Sequence, residues 1–137
     1  MTTRRCTQRQ FLLRPDPEVN QIYLYALGLA AKHAGVDLMH ATVMSNHEHD
    51  VLYDRHGRRV AFYQYLHALV ARATNALRGR FENLWASEQT SVVRLVTVDD
   101  VIEKIVYAAT NPVTAGLVAR AHHWPGVNTI RALLDKK

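Results

Sequence analysis

The chain has 137 residues, of which 48% are hydrophobic and 21% are charged. This length suits a single domain over residues 1–137 with a core of its own, and the ordinary composition argues against a disordered chain. Lys and Arg number 17 against 12 Asp and Glu, which gives a formal net charge of +5. That excess favours a polyanionic partner, but it does not choose between DNA, RNA and an anionic membrane.

The cysteine count and the N-terminus bear on the compartment. With one cysteine, Cys6, no intramolecular disulfide can form, which favours a cytoplasmic compartment. The opening MTTRRCTQRQFLL lacks the apolar run of a signal peptide. No stretch approaches the roughly 20 apolar residues of a membrane span, so we expect no membrane partner.

The N-terminal part of the chain predicts a strand and a helix. Residues 8–14, QRQFLLR, are typical of a short strand, which the following RPDP breaks. Asp16 is suited to cap a helix that has Pro17 at its first position. Apolar residues then recur at helical spacing until Gly35, which predicts the end of this helix.

Two strands and a second helix are predicted next. Residues 36–45 and 47–54 have the composition of strands, and a tight turn at Ser45–Asn46 joins them. An apolar stripe from Phe62 to Leu77 predicts a long helix that ends at Gly79.

The remaining elements complete the predicted fold. A fourth strand is expected at 90–97, and a third helix begins near Thr97–Asp99 and is ended or kinked by Pro112. A brief helix could follow Gly116. The order βαββαβα predicts an α+β fold, in which helices pack on an antiparallel sheet with a ferredoxin-like or RRM-like core. The predicted buried face of the third helix consists of Val101, Ile102, Ile105, Val106 and Ala109.

Two histidines stand one residue apart on the third predicted strand. Residues i and i+2 of a strand share a face, so His47 and His49 project side by side and can bind one metal ion. A chain with eight histidines can also contain such a pair as ordinary hydrogen-bonded side chains. Glu48 and Asp50 fall on the other face, where a covered sheet needs apolar residues. We therefore expect that face to be partly solvated here, or the strand edge to be exposed.

The third helix carries a phenol and a carboxamide one turn apart, at Tyr107 and Asn111. Both lie away from the predicted apolar stripe, because Tyr107 is about 200° around the helix from Ile105. Structural roles are open to both residues. Tyr107 could pack at the edge of the core, and Asn111 could cap the helix before Pro112.

Taken in order, these motifs resemble a known family. VMSNHEH followed by YAATNPVTAGLV resembles the REP-associated tyrosine transposases, which belong to the His-hydrophobic-His (HUH) group of single-strand DNA nucleases and transposases. NLWAS, HHWPGV and RRCTQRQFLLRP are weaker similarities, and together the motifs cover most of the chain. The resemblance implies an endonuclease that cleaves and rejoins single-stranded DNA near a hairpin through a 5′-phosphotyrosine.

The resemblance also implies roles for particular residues. Tyr107 is the expected nucleophile, while His47, His49 and Asn111 are the expected ligands of a divalent metal, Mg²⁺ or Mn²⁺. The chemistry agrees, because a phenol with a pKa of about 10 is a poor nucleophile at neutral pH and a divalent ion can polarise the phosphate. The family pattern has an apolar residue between the histidines, where this chain has Glu48.

Six arginines are the predicted DNA-binding residues, because guanidinium groups bind phosphate bidentately and phosphate contacts give affinity without sequence preference. The first three would form a basic arm and the last three a basic end to the second helix: Arg4, Arg5, Arg9, Arg72, Arg78 and Arg80.

Three further residues could have either a structural or a functional role. Trp85 and Trp124 could stack on unpaired bases, although we expect both in the core. Lys104 could neutralise the scissile phosphate or could simply be solvated.

Two other functions are compatible with the sequence. One is a hairpin-binding DNA or RNA module with a vestigial site, which the departures at Glu48 and Asp50 keep open. The other is a metal-dependent hydrolase that uses bound water, with Tyr107 in a structural role. Only the tyrosine transposase would leave protein on a 5′ end. The sequence leaves open whether the protein is a monomer or a homodimer.

Overall fold

The computed structural model describes residues 1–135, and the main elements follow the predicted order βαββαβα. The strands are β1 Thr2–Arg5, β2 Asp37–Val43, β3 His47–Tyr53 and β4 Ser91–Val92. The helices are α1 Pro17–Ala34, α2 Arg59–Arg78, α3 Val98–Thr114 and the short α4 Ile130–Leu134. Within the described residues, no helix combines the length and apolarity needed to cross a membrane.

The sheet has the strand order β2-β3-β1-β4, and every neighbouring pair is antiparallel. This order and connectivity are those of a ferredoxin-like sheet, so the predicted α+β class is confirmed. Helices α1 and α2 pack together on one face, here called the back face, where Glu48 of β3 meets His67 of α2. Helix α3 lies on the other, front face, where His49 meets Tyr107.

Local capping explains the helix boundaries that the sequence predicts well. Asp16 Oδ1 accepts a 2.8 Å hydrogen bond from the Val19 N–H at the start of α1, and Gly35 ends that helix in the left-handed region with φ 65°. Thr97 and Asp100 form a capping box at the start of α3. Each cap involves residues close in sequence, so it can be read without the fold.

The predicted first strand at 8–14 is wrong, because β1 is formed by Thr2–Arg5. Leu12 and Leu13 are buried in the core, but they reach it from a loop. The Leu13 N–H donates a 2.9 Å hydrogen bond to Ser45 O, which fastens this loop to the turn between β2 and β3. The apolar residues thus fill the end of the core, and the strand pairing falls to the polar residues before them. The predicted fourth strand at 90–97 is likewise shorter, as β4 is only Ser91–Val92.

Helix α3 buries a different face from the one that its sequence predicts. Ile102 and Val106 are 55% and 54% exposed, whereas Ala108, Ala109 and Pro112 are buried. The small residues let the C-terminal half of the helix approach the sheet closely, and the larger aliphatic residues of the N-terminal half stay largely in solvent. The predicted buried face of α3 is therefore wrong for Ile102 and Val106. Pro112 does not end the helix at once, because α3 continues for two more residues.

Candidate metal and nucleophile site

His47 and His49 project from the front face of β3, as the sequence predicts. Their ring centroids are 4.9 Å apart, with the ring planes at 85°. Because β3 lies between β2 and β1, both imidazoles rise from the interior of the sheet and not from an edge. His49 is 4% exposed, and His47 is half-buried.

Each imidazole is held through its Nδ1 atom. His47 Nδ1 lies 2.8 Å from Asn46 Oδ1, an acceptor, so the Nδ1–H donates and Nε2 carries the lone pair. His49 Nδ1 lies 2.9 Å from Thr3 Oγ1 on β1. The Nε2 atom of His49 is buried and has no hydrogen-bond partner among residues 1–135. Anchoring one ring nitrogen while leaving the other for a ligand is how proteins orient metal-binding histidines.

Both histidines are neutral near pH 7. Burial, followed by the charges of His47 and Arg5, lowers the pKa of His49 to about 4. Burial and then Arg5 also lower the pKa of His47, while a hydrogen bond with Asn111 acts in the opposite direction. Neutral imidazole is the form that binds metal ions, so the site is prepared for a ligand without a change in protonation.

Tyr107 and Asn111 complete the group on the facing helix. The Tyr107 ring centroid lies 5.7 Å from that of His49, and the side chain is 50% exposed, so a large substrate can reach the phenol. Asn111 lies one turn further along, close enough to His47 for its side chain to act on the pKa of that imidazole. The structure therefore brings together all four residues that the sequence singled out for chemistry. Their catalytic and ligand roles stay predictions.

The donors at this site fit a divalent metal ion. Two neutral imidazole nitrogens and an amide oxygen suit a first-row or similar divalent ion, and buried polar atoms such as His49 Nε2 almost always have a partner. In the part of the chain that the structure describes, no three His, Cys, Asp or Glu side chains are grouped so that they could hold a metal ion. A third protein ligand here would therefore be of another type, which Asn111 provides.

A cavity of about 400 Å³ opens beside His49 and Tyr107. Its walls come from β1, from the loop that precedes β4 and from α3, and they include Arg5 and Lys104. Lys104 Nζ lies 5.6 Å from the centroid of the Tyr107 ring. Cationic side chains, Arg5 and Lys104 among them, thus line a cavity that contains the phenol and one imidazole, and they outnumber its acidic residue, Glu88. A positively charged wall of this kind suits a phosphate group.

Glu48 and Asp50 are fully buried on the back face, so the expected solvated face or exposed edge is wrong. Glu48 Oε1 is hydrogen-bonded to Nε2 of His67, which α2 places over the strand. Burial raises the pKa of Glu48 to about 8, and burial and the charge of Glu48 raise that of Asp50 well above its usual range. Burial lowers the pKa of His67 to about 4. This back cluster (Glu48, Asp50 and His67) is therefore largely neutral at pH 7.

The expected N-terminal basic arm is wrong, because Arg4 and Arg5 belong to β1 inside the sheet. Their side chains take opposite faces. The Arg4 guanidinium lies 5.7 Å from the Trp85 ring centroid and 3.5 Å from His67 Nδ1, beside the back cluster. Arg5 is exposed and lines the front cavity. Both arginines border the cavity that contains Tyr107, but Arg4 is held by His67 and Trp85, so Arg5 is the freer of the two to meet a phosphate there.

The other four predicted DNA-binding arginines are dispersed. Arg78 Nε donates to the Leu12 carbonyl oxygen at 2.8 Å and is partly committed to holding that loop. Arg80 donates to a side-chain amide oxygen of α2 at 2.9 Å. Arg9 and Arg72 are exposed, the latter on the helix layer behind the sheet. A contact of these residues with DNA stays a prediction.

Both tryptophans lie in the core, which confirms the expected placement. Trp85 and Trp124 are 8% and 5% exposed. Each indole N–H donates a 2.9 Å hydrogen bond to a backbone carbonyl oxygen, that of His67 and of Val43 respectively. A side chain at Gly126 would place its Cβ 2.4 Å from Trp124 Nε1. Packing against the indole therefore explains the glycine in HHWPGV.

Sequence reasoning missed the residue that orients His49. Thr3 reaches His49 because the two are paired across β1 and β3, and no local pattern in the sequence encodes that register. The role of Asn46 could have been suspected from the sequence, because this residue occupies the turn immediately before His47.

The fold has a solved counterpart. It is similar to the structure of a REP-associated tyrosine transposase bound to a REP hairpin, with a TM-score of 0.73 and 16% sequence identity, over 98% of this chain and 78% of that chain. No family model and no curated protein matches the sequence. The fold implied by the motifs is therefore confirmed, and at this level of identity the likeness concerns the fold.

Proposed function

We propose that this protein cleaves and rejoins single-stranded DNA near a hairpin, with Tyr107 as the nucleophile and a divalent metal ion at His47, His49 and Asn111. The observation that carries the proposal is the meeting of a half-exposed phenol with two neutral, Nδ1-anchored imidazoles beside a cation-lined cavity. The similarity of fold to a transposase that was solved with a REP hairpin supports the choice of DNA as the substrate.

The proposed reaction exchanges one phosphate ester for another. The Tyr107 hydroxyl oxygen attacks the scissile phosphorus in line and loses its proton to solvent. The bond from phosphorus to the 3′ oxygen breaks, which releases a 3′ hydroxyl and leaves the 5′ phosphate esterified to Tyr107. In the joining step a 3′ hydroxyl attacks this ester, and the phenol is regenerated. The phosphotyrosine retains the energy of the original bond, so joining needs no nucleotide cofactor.

The side chains divide the remaining tasks. A divalent ion held by His47, His49 and Asn111 would polarise the scissile phosphate and offset its developing charge. Tyr107 sits one turn before Asn111 on one helix, which holds the phenol at a constant position relative to the ligands. Arg5 and Lys104 neutralise phosphate charge in the cavity.

The two acidic residues that depart from the family pattern do not occupy this site. Glu48 and Asp50 are on the opposite side of β3, where α2 covers them. We infer that they replace an apolar part of the core by a neutral polar one and leave the metal ligands in place.

The test is a search for a covalent adduct. A 3′-labelled single strand with a hairpin is incubated with the protein and Mn²⁺ and then separated by denaturing electrophoresis. The expected result is labelled protein, because the 3′ fragment stays esterified to Tyr107, together with an unlabelled shorter fragment that ends in a free 3′ hydroxyl and is detected by staining. Tyr107→Phe should abolish both while DNA binding persists, because only the hydroxyl group is removed. Tyr25→Phe is the matched control, since Tyr25 is 67% exposed on α1 and should retain full activity.

Other outcomes would select the other functions. Cleavage that survives Tyr107→Phe without an adduct would mean that water is the nucleophile, as in a metal-dependent hydrolase. Tight hairpin binding with no cleavage by the wild type would instead indicate a binding module.

A further inference from the structure

Two phenylalanine side chains close to arginines are exposed to solvent. Phe81, which follows α2, is fully exposed, and Phe11 is 64% exposed. Large aromatic rings contribute most to stability when they are buried, as both tryptophans are here. Two exposed rings on separate loops therefore suggest a ligand that covers them.

The loops that carry these rings are fastened to each other. Arg78 Nε donates to the carbonyl oxygen of Leu12, the neighbour of Phe11, at 2.8 Å, and Phe81 follows Arg78 by three residues. The Thr7 N–H donates at 2.8 Å to Leu84 O, on the far side of Phe81. The two rings thus belong to adjoining loops at one end of the molecule.

The first of these loops adjoins the candidate catalytic site. The Cys6 N–H donates at 2.8 Å to Asn46 O, and Asn46 Nδ2 donates at 3.3 Å to Arg9 O. The same Asn46 accepts the hydrogen bond from His47. The loop leading to Phe11 is therefore attached directly to the residue that orients a proposed metal ligand.

Two cavities connect this loop with the nucleophile. A cavity of about 230 Å³ is lined by Arg9 and also by Arg5, Ala86 and Glu88. The last three residues also line the cavity that contains Tyr107. The shared wall defines a path along the surface from Tyr107 past Arg5 and Arg9 toward Phe11.

The backbone of this loop is strained. Gln8 and Arg9 both have positive φ angles, 50° and 54°, although neither is glycine. Such conformations are unfavourable for residues other than glycine and persist where the surroundings impose them, often at binding sites. Here the surroundings include the Asn46 side chain and the bond from the Arg9 N–H to Cys6 O at 3.2 Å.

The charge around the two rings selects the ligand. Residues 4–14 contain four arginines and no acidic residue, and Arg80 precedes Phe81. The nearby opposing charges are Glu82, 3.9 Å from Arg80, Asp16, 3.2 Å from Arg78, and Glu88 beside Arg9, so the arginines outnumber them. Planar apolar rings set among guanidinium groups suit a chain that offers flat bases and phosphates together. Unpaired strands expose base faces to such rings, whereas a duplex hides them in its stack.

We propose that Phe11 and Phe81 form a stacking platform for unpaired bases of the strand that enters the Tyr107 site. This inference rests on the proposed function for the nature of the strand, but it concerns binding and not cleavage. Arg5 and Arg9 contact the backbone between the platform and Tyr107.

The test compares binding of the wild type, Phe11→Ala and Phe81→Ala to a fluorescein-labelled oligothymidine by fluorescence anisotropy. Each substitution should raise the dissociation constant about 5- to 150-fold, which corresponds to the loss of one stacked base. The salt dependence should stay unchanged, because no phosphate contact is lost. Phe81→Trp should bind like the wild type, whereas Phe81→Leu should not, since it keeps apolar volume but lacks a flat ring.

Two controls connect the effect to stacking. Tyr25→Ala, which removes an equally exposed ring on α1, should bind like the wild type. An abasic oligonucleotide should bind the wild type and Phe81→Ala with equal affinity. Wild-type affinity in both phenylalanine variants, or equal losses on abasic and thymidine strands, would overturn the platform.

The adduct assay separates this inference from the proposed function. Ring-dependent binding without a Tyr107 adduct would leave the platform standing and reject the proposed catalysis. An adduct formed by a protein whose binding ignores both rings would do the reverse. A wild type that binds no single strand would reject both.

Discussion

The two faces of β3 treat alternate residues of one strand in opposite ways. On the front face, His47 and His49 stand beside an open cavity, and the buried Nε2 of His49 lacks a hydrogen-bond partner within residues 1–135. On the back face, Glu48 and Asp50 are fully buried beneath α2, where Glu48 is bonded to His67. The motif residue His49 thus borders a cavity, whereas the residues that depart from the motif are enclosed.

This difference shows that the covering element decides what a polar strand residue can do. Considered alone, the strand places two imidazoles on one face and two carboxylates on the other, and either pair could bind a ligand. Helix α2 encloses the carboxyl groups and keeps them neutral, whereas α3 packs on the front face through its small C-terminal residues and leaves a cavity beside His49.

A third histidine of the front face sharpens the contrast. His40 of β2 is fully buried, and its two ring nitrogens lie 2.6 Å from Thr42 Oγ1 and 3.0 Å from Thr129 Oγ1. His40 therefore has both nitrogens bonded in the protein, while His49 has one nitrogen left over. Burial by itself does not distinguish the two histidines; hydrogen-bond satisfaction does.

After the complete loss of cleavage expected for Tyr107→Phe, the largest expected effect is that of His49→Ala. Loss of an outer partner of a metal ligand already costs about 10- to 100-fold, so loss of the ligand should lower the cleavage rate more than 100-fold, with partial recovery at high Mn²⁺ concentration. Cleavage rates measured across a Mn²⁺ titration provide the check. His33→Ala, on the exposed side of α1, is the control. Full activity of His49→Ala would remove the distinction between the two faces.

The next effect concerns the back face. Glu48→Val moves the chain toward the family pattern, but it strands the buried His67 and should destabilise the protein by about 1–3 kcal/mol. Urea unfolding measures this loss. The double variant Glu48→Val/His67→Leu should recover part of it, because both partners are then apolar. A Glu48→Val single variant as stable as the wild type would show that the hydrogen bond to His67 contributes nothing.

Thr3 and Thr2 offer a smaller test with neighbouring residues on opposite faces. Thr3→Val removes the hydroxyl group that anchors His49 and should weaken metal binding by about 10- to 100-fold, as measured by calorimetric titration with Mn²⁺. Thr2→Val, which alters the buried back side, should leave metal affinity unchanged. Equal effects of the two substitutions would mean that the faces are not independent.

Asn111→Ala should have the mildest effect among the proposed metal ligands. A neutral amide oxygen is a weaker ligand than imidazole, and water can take its place. We expect the cleavage rate to fall by about tenfold or less in the same Mn²⁺ titration. A loss as large as that of His49→Ala would show that Asn111 does more than complete the coordination.

The smallest effect is expected on the uncovered half of α3. Ile102→Gln should change the free energy of unfolding by no more than about 0.5 kcal/mol, because the side chain is 55% exposed. Ala109→Leu, on the buried half of the same helix, should cost about 1–3 kcal/mol through overpacking against the sheet. Urea unfolding of both variants compares the two halves directly.

Local sequence determined much of this protein. The ends of α1 could be predicted from Asp16 and Gly35, because caps act within a few residues. The period of a strand places His47 and His49 on one face. The period of a helix likewise places Tyr107 and Asn111 one turn apart. These regularities hold whatever the rest of the chain does.

The tertiary structure decided everything that depends on distant segments. Pairing and packing between parts of the chain far apart in sequence set which residues form β1, which face of α3 is buried and where Glu48 lies. Thr3 shows the limit clearly, because it anchors His49 across 46 positions of sequence. The polarity of a residue limits the environments in which it can lie. Its neighbours in space then determine whether it is a ligand, a core residue or a surface residue.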